Sequence, residues 1–550
     1  MKESITEIFN HAVERCFPDE KALPPVFLET PKNKDHGDYA LNIAMVLASK
    51  FKKNPRAIAD MIIDNVEDRD KVIKKLEIAG PGFINISLSE DYWRNVLSDI
   101  HEKGERFGEG KLGNGQKVNI EFVSANPTGP LHVGHGRGAA VGHALSCLLK
   151  KAGFDVSTEY YINDVGNQMN NLGRSTWVRY QELLGKKVEF PDDGYKGDYI
   201  KDIAQAVIDA DGSSHLDKKS EDALTFFREF SKDTILKGIQ DDLKEFRVEF
   251  DCWFSEASLD EDDSVNQSID WLRDKGFVYE KDGATWIKTS QFKDDADRVI
   301  IKQGGERTYF CSDIAYHKNK VDRGYDLILD LWGADHHGYV PRMQSVLQAM
   351  NYDEEVFKVL LVQFVSLKRG GQKVSMSTRS GEFETLADVV AEVGVDATRF
   401  FFLMRSSDSH LDFDLDLAKK ESPENPVYYI QYAHARICSV FRTAEEQEVP
   451  TTDLASADIT LLDTAEEFAL IKKILAYKAC IEKSALSQEI HRISFYLQEL
   501  VSIFHSYYKQ HRVVTENREL TRARLLLLDC VRNVIASGLG VLGVSAPEKM

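Results

Sequence analysis

The fold is decided by two adjoining stretches, VNIEFVSA (118–125) and PTGPLHVGHGRGAAVGHAL (127–145). The first alternates apolar and polar residues, as a β-strand does, and the second turns through glycines into an apolar helix. DVSTEYYIND (155–164) follows as a second strand. Strand, helix and strand at this spacing predict a βαβ unit and therefore a parallel sheet.

The glycine-rich turn carries two histidines, His132 and His135, and three interpretations fit it. A plain strand–turn–helix corner would use the imidazoles only for local hydrogen bonds. A zinc site would need one or two more ligands, and no cysteine or acidic residue stands at suitable spacing nearby. A nucleotide-phosphate site would use the glycines for close approach, the helix N-terminus for the negative charge and imidazole N–H groups as donors. The glycines match neither a GxGxxG fingerprint nor a P-loop, so such a site would depend on the histidines.

Length and composition predict a folded protein with several domains. Its 550 residues correspond to roughly three or four domains of about 150 residues each. No apolar run of about 18 residues and no secretory signal is recognisable, so we expect no membrane span. The seven cysteines are scattered without a CxxC pair, which argues against disulfides and a cysteine zinc site and favours the cytoplasm.

The net charge of −20 argues mildly against a nucleic-acid partner. Only local patches decide the matter, because salt screens charges over about 8 Å in cell-like conditions.

The sequence at this point resembles a known family. His132-Val133-Gly134-His135 is similar to the His-Ile-Gly-His element of class I aminoacyl-tRNA synthetases, and the surrounding sequence resembles the arginyl-tRNA synthetases. The resemblance covers essentially the whole chain. The segments that carry it are EFVSANPTGPLHVGHGR (121–137), YYINDVGNQ (160–168), FDCWFSEASL (250–259), TYFCSDIAYHKNK (308–320), WGADHHGYVPRM (332–343), SMSTRSG (375–381), YYIQYAHARI (428–437) and LGVSAPEKM (542–550).

The resemblance completes the expected architecture, which is an α/β protein with a Rossmann-like parallel-sheet catalytic domain between an N-terminal α+β domain and a C-terminal all-α bundle. The expected bounds are 1–110 for the N-terminal tRNA-contact domain, 111–370 for the catalytic domain with a helical insertion at about 167–250, 371–425 for a catalytic loop and connecting segment, and 426–550 for the anticodon-binding bundle. FKVLLVQFVSL (357–367) is expected to be a buried strand of the parallel sheet. In the N-terminal domain, KLEIAGPGFINISLS (75–89) is expected to be a strand pair around Gly80-Pro81-Gly82.

The resemblance also implies the reaction and its partners. Arginine's carboxylate would attack the α-phosphorus of ATP, and the arginyl group would then pass from the adenylate to the terminal ribose of tRNA(Arg). ATP is thus a substrate, Mg²⁺ accompanies it, and no structural metal is expected. We assign His132, Gly134 and His135 to ATP, with the two histidines as catalytic residues.

The arginine pocket follows from the substrate, because a guanidinium keeps its charge and calls for carboxylates in planar geometry. Asp313 is the first candidate, with Tyr309 on the same helical face, and Glu256 is the second carboxylate. The resemblance assigns Ser124 and Asn126 to the backbone end of the amino acid. The structural alternatives are a surface charge for Asp313 and a core aromatic for Tyr309.

Asp335 and His336 also join the predicted arginine site. They follow an apolar strand, where an α/β sheet places its ligands. A plain strand end is the alternative interpretation.

The stretch that corresponds to the mobile Lys-Met-Ser-Lys-Ser loop of class I enzymes differs from that pattern in this chain. This stretch is Ser375-Met376-Ser377-Thr378-Arg379, in which serine replaces the first lysine. Met376, Ser377 and Arg379 are predicted to bind ATP, and Ser377 also to be catalytic. Lys373 or Arg379 is the nearest candidate to replace the lost cation, and Lys368 and Arg369 are further candidates one short loop upstream. We expect this stretch to close as a lid.

Aromatic and basic residues occur together in the C-terminal helices, where Tyr432 and Arg436 are the candidates for tRNA contacts. An ordinary helix with a solvated charged side is the alternative interpretation. In the N-terminal domain, the resemblance implies tRNA contacts at Phe83 and Asn85. Two rival functions remain: a paralogue that binds tRNA or arginine with little catalysis, and a nucleotidylyltransferase. A monomer is expected, because no long apolar heptad run marks a dimer interface.

Overall fold

The structure is a computed structural model that describes residues 2–31, 33, 36–68, 71–216, 218–374 and 384–550. The chain divides into two compact units. The first unit comprises Met1–Glu105, Ile437–Ala476 and Ile503–Val534, and the second comprises Arg106–Arg436, Tyr477–Ser502 and Ile535–Met550.

The first unit begins with a small α+β segment. It contains α1 (Lys2–Cys16), β1 (Tyr39–Leu41), α2 (Ile43–Phe51), α3 (Pro55–Asp64), β2 (Ile73–Ala79), β3 (Phe83–Leu88) and α4 (Glu90–Lys103). Its antiparallel sheet has the order β1-β3-β2. The strand pair predicted around Gly80–Gly82 is therefore confirmed, because β2 and β3 flank that turn.

The second unit is built on a parallel sheet. Its first half contains β4 (Lys117–Glu121), α5 (Val133–Lys151), β5 (Asp155–Ile162), α6 (Asn167–Leu183), α7 (Asp198–Asp211), α8 (Ser220–Glu245), β6 (Cys252–Ser255), α9 (Ser258–Glu261), α10 (Ser264–Asp274), β7 (Val278–Lys281), β8 (Ala284–Ile287) and β9 (Arg298–Ile301). Its second half contains α11 (Tyr309–Asp322), β10 (Leu327–Gly333), α12 (Val340–Ala349), β11 (Phe357–Val362), β12 (Val365–Arg369), β13 (Gln372–Lys373), α13 (Leu386–Val393), α14 (Val395–Leu403), β14 (Leu411–Asp414) and α15 (Leu415–Ala418).

Five parallel strands form the central sheet, in the order β11-β10-β4-β5-β6. Numbered along the chain, this order is 3-2-1-4-5 read from the β6 edge, which is the order of a Rossmann fold. The strand order reverses between β4 and β10. Such α/β sheets bind ligands beyond the carboxyl ends of the strands at that reversal. The Rossmann-like α/β class expected from the sequence is confirmed.

A close approach fixes α5 against the end of β4. A Cβ atom on Gly142 would lie 2.1 Å from the Phe122 ring, so only glycine fits where the helix crosses the strand. The chain between them passes through Val123 and Ser124 at φ 68° and 40°, in the left-handed region that side chains other than glycine rarely adopt. This strained turn presents the residues that precede the two histidines.

The predicted strand at 357–367 is wrong in one respect, because it is two strands. β11 joins the parallel sheet, whereas β12 pairs with β13 and β14 in a separate sheet. The chain breaks at Gln363, whose carbonyl accepts a hydrogen bond from the fully buried Arg137 at 2.8 Å. Arg137 also donates to the carbonyls of Ser406 and Ser409, each at 2.8 Å. A buried guanidinium needs such acceptors, so the chain leaves the sheet to supply them.

The described chain after residue 426 contains four long helices: α16 (Pro426–Glu446), α17 (Ala465–Ser487), α18 (His491–Gln510) and α19 (Arg518–Leu542). The helical C-terminal region expected from the sequence is confirmed. Within the described residues, α19 alone has the length and apolar composition to cross a membrane, and 78% of its apolar window is buried inside the protein. A core helix has these same properties.

Candidate active site

His132 and His135 lie together at the N-terminus of α5. His132 is the N-cap residue, and its Nδ1 accepts hydrogen bonds from the backbone N–H groups of Gly134 at 3.0 Å and His135 at 3.3 Å. The Nδ1 of His135 in turn accepts from the backbone N–H of His132 at 3.3 Å. This is a capping box made of two imidazoles. The rings stack with centroids 3.6 Å apart.

These hydrogen bonds define the chemical state of both rings. Because each Nδ1 accepts a hydrogen bond, the proton of each neutral ring is on Nε2. Burial lowers the pKa of His132, and burial together with the His132 ring lowers the pKa of His135 to about 3. At neutral pH the pair therefore offers neutral Nε2–H donors beside the positive end of a helix dipole, a suitable arrangement for phosphate oxygens.

The lack of a side chain at Gly134 leaves room for the His132 ring. A Cβ atom at this position would lie 2.9 Å from Cε1 and 3.0 Å from Nδ1 of His132. The predicted approach of ATP to Gly134 stays a prediction, but the close contact with the histidine is a feature of the fold.

Ser124 lies in the strained turn and joins two strands. Its Oγ donates to Oε1 of Glu121 at 2.9 Å, at the end of β4, and accepts from the backbone N–H of Tyr161 on β5 at 3.1 Å. Asn126, two residues on, donates from Nδ2 to Oε1 of Gln168 at 2.9 Å. The loop between β4 and α5 is thus held from both sides.

Glu256 lies just beyond the end of β6, and only 4% of it is exposed. Its backbone N–H donates to the carbonyl of Ile162 at 3.0 Å. Burial raises the pKa of its carboxyl group to about 6, against hydrogen bonds from Ser312 and Tyr161 and with further support from the negative charge of Asp313.

Asp313 lies on α11 in the same electrostatic neighbourhood. Its Oδ2 accepts a hydrogen bond from the hydroxyl of Tyr339. Burial raises the pKa of Asp313 despite that bond. Burial also raises the pKa of Tyr161, and the charges of Glu256 and Asp313 raise it further. Tyr161 therefore lies within the field of both carboxylates.

Within the described part of the chain, neither Glu256 nor Asp313 forms an ion pair with a lysine or arginine. The charge of Lys320, on the same helix as Asp313, acts on Asp313 without pairing with it. A buried and a half-buried carboxyl group, of which Asp313 raises the pKa of Glu256, form a site suited to a positively charged ligand.

The other residues predicted for arginine lie at the surface. Tyr309 is the first residue of α11 and is 58% exposed. Asp335 and His336 lie in the 3₁₀ turn after β10, both exposed, with His336 Nε2 3.6 Å from Asp335 Oδ2. Among the described contacts, Tyr339 is the residue of this turn that hydrogen-bonds to Asp313.

The segment that follows residue 383 lies beside the histidines. Thr385 pairs with His132 as an antiparallel β-bridge, and the N–H of Leu386 donates to the carbonyl of Leu131 at 2.8 Å. Lys373, in β13, is exposed with its Nζ 4.0 Å from Asp412 Oδ1. Met376, Ser377 and Arg379, like Ser375, lie outside the described residues.

Tyr432 and Arg436 form a connected pair on α16. The guanidinium of Arg436 lies 4.5 Å from the ring centre of Tyr432 and donates to its hydroxyl at 2.5 Å. Tyr428 stacks on Tyr432 with the ring planes 9° apart. An aromatic stack with a cation is the combination expected for unstacked bases.

Phe83 and Asn85 belong to β3, the central strand of the small antiparallel sheet. Phe83 is half-buried beside the turn, whereas Asn85 is 8% exposed. Phe83 therefore offers more surface to an RNA than Asn85, and both assignments stay predictions.

Sequence reasoning missed Tyr339, Tyr161 and Glu121. Tyr339 reaches Asp313 across 26 positions of the sequence, so no local spacing announces it. Glu121 could have been identified from the sequence, because it is an acidic residue at the buried end of a predicted strand, where an uncompensated charge is costly.

Comparisons with known proteins agree along the whole chain. Family models match consecutive segments: the arginyl tRNA synthetase N terminal domain at residues 3–88, the class I tRNA synthetase (R) catalytic domain at 96–404 and the DALR anticodon binding domain at 430–550. An arginine–tRNA ligase of a Geobacter species is 51% identical and one of Syntrophotalea carbinolica is 50% identical, each over 100% of both chains. A crystal structure of an arginyl-tRNA synthetase from Campylobacter jejuni matches with a TM-score of 0.79 at 35% identity, covering 84% of this chain and 100% of that one. With a parallel sheet of Rossmann order, a histidine pair at the N-terminus of the helix that follows its first strand, and relatives of this similarity over its full length, the chain belongs to the arginyl-tRNA synthetase family of class I aminoacyl-tRNA synthetases.

Proposed function

We propose that this protein joins L-arginine to tRNA(Arg) at the expense of ATP, with Glu256 and Asp313 as the arginine-binding carboxylates. The observation that carries the assignment of the pocket is that these two acidic groups lie in one electrostatic neighbourhood and that, among the described residues, neither is paired with a lysine or arginine. A guanidinium brings the missing positive charge and planar donors for two carboxylates. Ser124, Asn126, Tyr309, Asp335 and His336 complete the proposed set.

In the first step the arginine carboxylate attacks the α-phosphorus of ATP, which forms arginyl-adenylate and releases pyrophosphate. The Nε2–H groups of His132 and His135 donate to phosphate oxygens as their negative charge grows. Because both rings are neutral, they stabilise this charge without a buried cation. The terminal ribose hydroxyl of the tRNA then attacks the arginyl carbonyl, and AMP leaves.

Discrimination against lysine follows from the same pocket. An ammonium group fills only part of the space of a guanidinium and leaves carboxylate oxygens unpaired. A site built for hydrogen bonds rejects an analogue that lacks them by a large factor, so no separate editing site is required.

The remaining assignments concern the triphosphate and the tRNA. Lys373 or Arg379 supplies the cation that the loop has lost, together with Met376 and Ser377. The described residues contain no group of three or more histidine, cysteine, aspartate or glutamate side chains arranged for a metal, so Mg²⁺ enters on the phosphates of ATP. Phe83, Asn85, Tyr432 and Arg436 contact the tRNA.

The proposed setting is that of a cytoplasmic monomer. The scattered cysteines favour a reducing compartment, and the sequence offers no heptad run for a coiled-coil partner.

Arginine-dependent exchange of pyrophosphate into ATP, measured with and without tRNA(Arg), tests this function. We expect exchange that requires arginine and appears with tRNA. A nucleotidylyltransferase would exchange without arginine, and a paralogue that only binds its ligands would not exchange under either condition.

Lys373→Ala and Arg379→Ala, measured separately, locate the replacement cation: loss of about tenfold or more in exchange is expected where the cation acts.

A further inference from the structure

A buried group of charges lies beneath the reversal point of the parallel sheet. Lys320 of α11 is 0% exposed and places its Nζ against Glu121, at the end of β4, and 2.7 Å from Oδ1 of Asp330, on β10. β4 and β10 are the neighbouring strands at which the strand order reverses. Lys320 therefore connects one helix to both strands that border the proposed ligand site.

Hydrogen bonds and one lysine connect the members of the group. Nε2 of His317 lies 3.0 Å from Oδ2 of Asp330, and its Nδ1 lies 2.8 Å from the carbonyl oxygen of Asp313. The positive charge of Lys320 lowers the pKa of Asp330 against the effect of burial, whereas burial raises the pKa of Glu121. Lys320 is thus the cation that two carboxyl groups, those of Asp330 and Glu121, share.

The group reaches both ends of the proposed arginine site. Glu121 accepts Lys320 at one oxygen and the Ser124 hydroxyl at the other, at 2.9 Å. Asp313 is seven residues before Lys320 on the same helix, which places both on one face. The residue proposed for the guanidinium and the residue proposed for the backbone end of arginine are thus linked through Lys320 and Glu121.

Such a group is poorly explained by stability alone. Taking charges out of water cancels most of the gain of pairing them, and apolar replacements of buried ion pairs are often neutral or stabilising. The best-attested use of a buried charge is to fix one register among several. Here the register is that of α11 against the turn at Val123 and Ser124, whose backbone is strained at φ 68° and 40° and needs external support.

We propose that Lys320 is a positioning residue that fixes the distance between Ser124 and Asp313 and thereby the length of amino acid that the site accepts. This inference rests on the proposed function, which assigns the two ends of arginine to those residues. Without the Lys320–Glu121 connection, α11 and the turn move apart more freely. Homoarginine, one methylene longer than arginine, is then accepted more readily.

The test uses the full chain with Glu121→Gln and Lys320→Met together, since this pair removes one charge of each sign. Pyrophosphate exchange in the presence of tRNA(Arg) gives kcat and KM for arginine and for homoarginine. We expect the KM for arginine to rise about tenfold with kcat changed less than about threefold, and the preference for arginine over homoarginine to fall about tenfold. A preference that falls less than about threefold overturns the proposal.

A matched control removes a second ion pair of the same helix. Arg323, at the end of α11, donates to both oxygens of Glu159 on β5 at 2.8 and 2.9 Å. Arg323→Met with Glu159→Gln loosens α11 without breaking the path to Ser124, so the preference is expected to stay at its wild-type value. An equal fall in both double variants would overturn the specific role of Lys320.

Two further measurements keep the outcome decisive. If the double variant does not fold, Glu121→Gln alone is measured against the same limits, because it keeps an acceptor for Ser124 and removes the charge that faces Lys320. Asp313→Asn separates this inference from the proposed function. Wild-type kinetics with arginine in Asp313→Asn would overturn the proposed pocket itself. A strong loss of kcat/KM for arginine in Asp313→Asn, together with an unchanged preference for arginine over homoarginine in the double variant, would overturn only the role of Lys320.

Discussion

Burial gives ionised Glu256 an electrostatic cost, which the proposed arginine ligand would reduce. Its pKa of about 6, against an ordinary 4.5, means that the folded state binds its proton more tightly than the unfolded chain. The stability that this proton contributes is complete below pH 4.5 and is lost as the pH rises through 6, so ionised Glu256 costs about 2 kcal/mol at neutral pH. A bound guanidinium lowers the pKa again and recovers part of that free energy.

The pH dependence of arginine use follows from the same shift. Protonated Glu256 cannot pair with the guanidinium, so kcat/KM for arginine should fall as the pH drops through about 6. His135 does not contribute to this change, because burial lowers its pKa to about 3. The measurement is the pH profile of exchange at limiting arginine.

Glu256→Gln separates this group from the ionisation of ATP. Its profile should lose the inflection near pH 6 and keep any feature that comes from the nucleotide. An inflection that persists unchanged in the variant would show that another group titrates.

Gly134→Ala tests the geometry of the histidine pair. The added Cβ would lie 2.9 Å from the His132 ring and must displace it. We expect kcat to fall about a hundredfold with little change in the KM for arginine, because misplacing a catalytic group by about 1 Å has this effect. Steady-state pyrophosphate exchange in the presence of tRNA(Arg) measures both constants.

Gly138→Ala is the matched control on the same helix, since no atom of the described residues lies within 4 Å of its added Cβ. It should keep full activity and stabilise the protein by up to about 1 kcal/mol through helix propensity. Equal activity of the two alanine variants would contradict the role given to Gly134.

At the scale of the elements, Arg399 connects three helices within the second unit. It is fully buried on α14 and donates to the carbonyls of Phe246 at 2.9 Å and Leu542 at 3.0 Å, at the ends of α8 and α19, and to Nδ1 of His143 on α5 at 2.8 Å. Arg399→Met leaves these acceptors without their donor. We expect a loss of about 3 kcal/mol in the free energy of unfolding.

Denaturant unfolding measures this loss, with Arg405→Met as the control. Arg405 is six residues further on and exposed, so its substitution should change the stability by less than about 0.5 kcal/mol. Similar losses in both variants would contradict the bridging role of Arg399.

The elements were predictable where the pattern is local. The βαβ unit, the strand pair around Gly80–Gly82 and the C-terminal helices all follow from periodicity and turn residues. The break at Gln363 did not follow, because its cause is Arg137, which is distant in sequence and whose burial only the fold creates. A continuous apolar run cannot reveal where a strand leaves its sheet.

Of the candidate site, too, some residues could be predicted from the sequence and others could not. Glu256 and Asp313 could be proposed because the substrate demands carboxylates and the family resemblance marks positions for them. Tyr339 could not be, because a 3₁₀ turn brings it to Asp313 from the far side of β10. Lys320 reads as a solvated helix charge, yet Asp313, His317 and Lys320 at i, i+4 and i+7 form a polar stripe on one face, which was a usable signal.

At the scale of the whole molecule, the net charge of −20 must coexist with a polyanionic partner. A protein of this sign needs local cations where phosphates approach. We propose the Arg436–Tyr432 pair on α16 as one such place, because it holds a half-buried guanidinium on an aromatic stack.

Arg436→Ala should raise the KM for tRNA(Arg) and weaken its dependence on salt by up to about one charge, with the KM for arginine unchanged. Aminoacylation at several salt concentrations gives both constants. Tyr432→Phe keeps the ring under the cation and should have a smaller effect. A tRNA KM equal to that of the wild type in Arg436→Ala would contradict the contact.

The central claim is that Asp313 and Glu256 form a cavity for a guanidinium, and Asp313→Asn tests it most directly. The substitution keeps the size of the side chain and its acceptor for Tyr339 but removes the charge. In arginine-dependent exchange with tRNA(Arg), we predict a fall of about a hundredfold or more in kcat/KM for arginine, because a desolvated charge pair is lost. Unchanged kcat/KM for arginine in a folded Asp313→Asn protein would contradict the account.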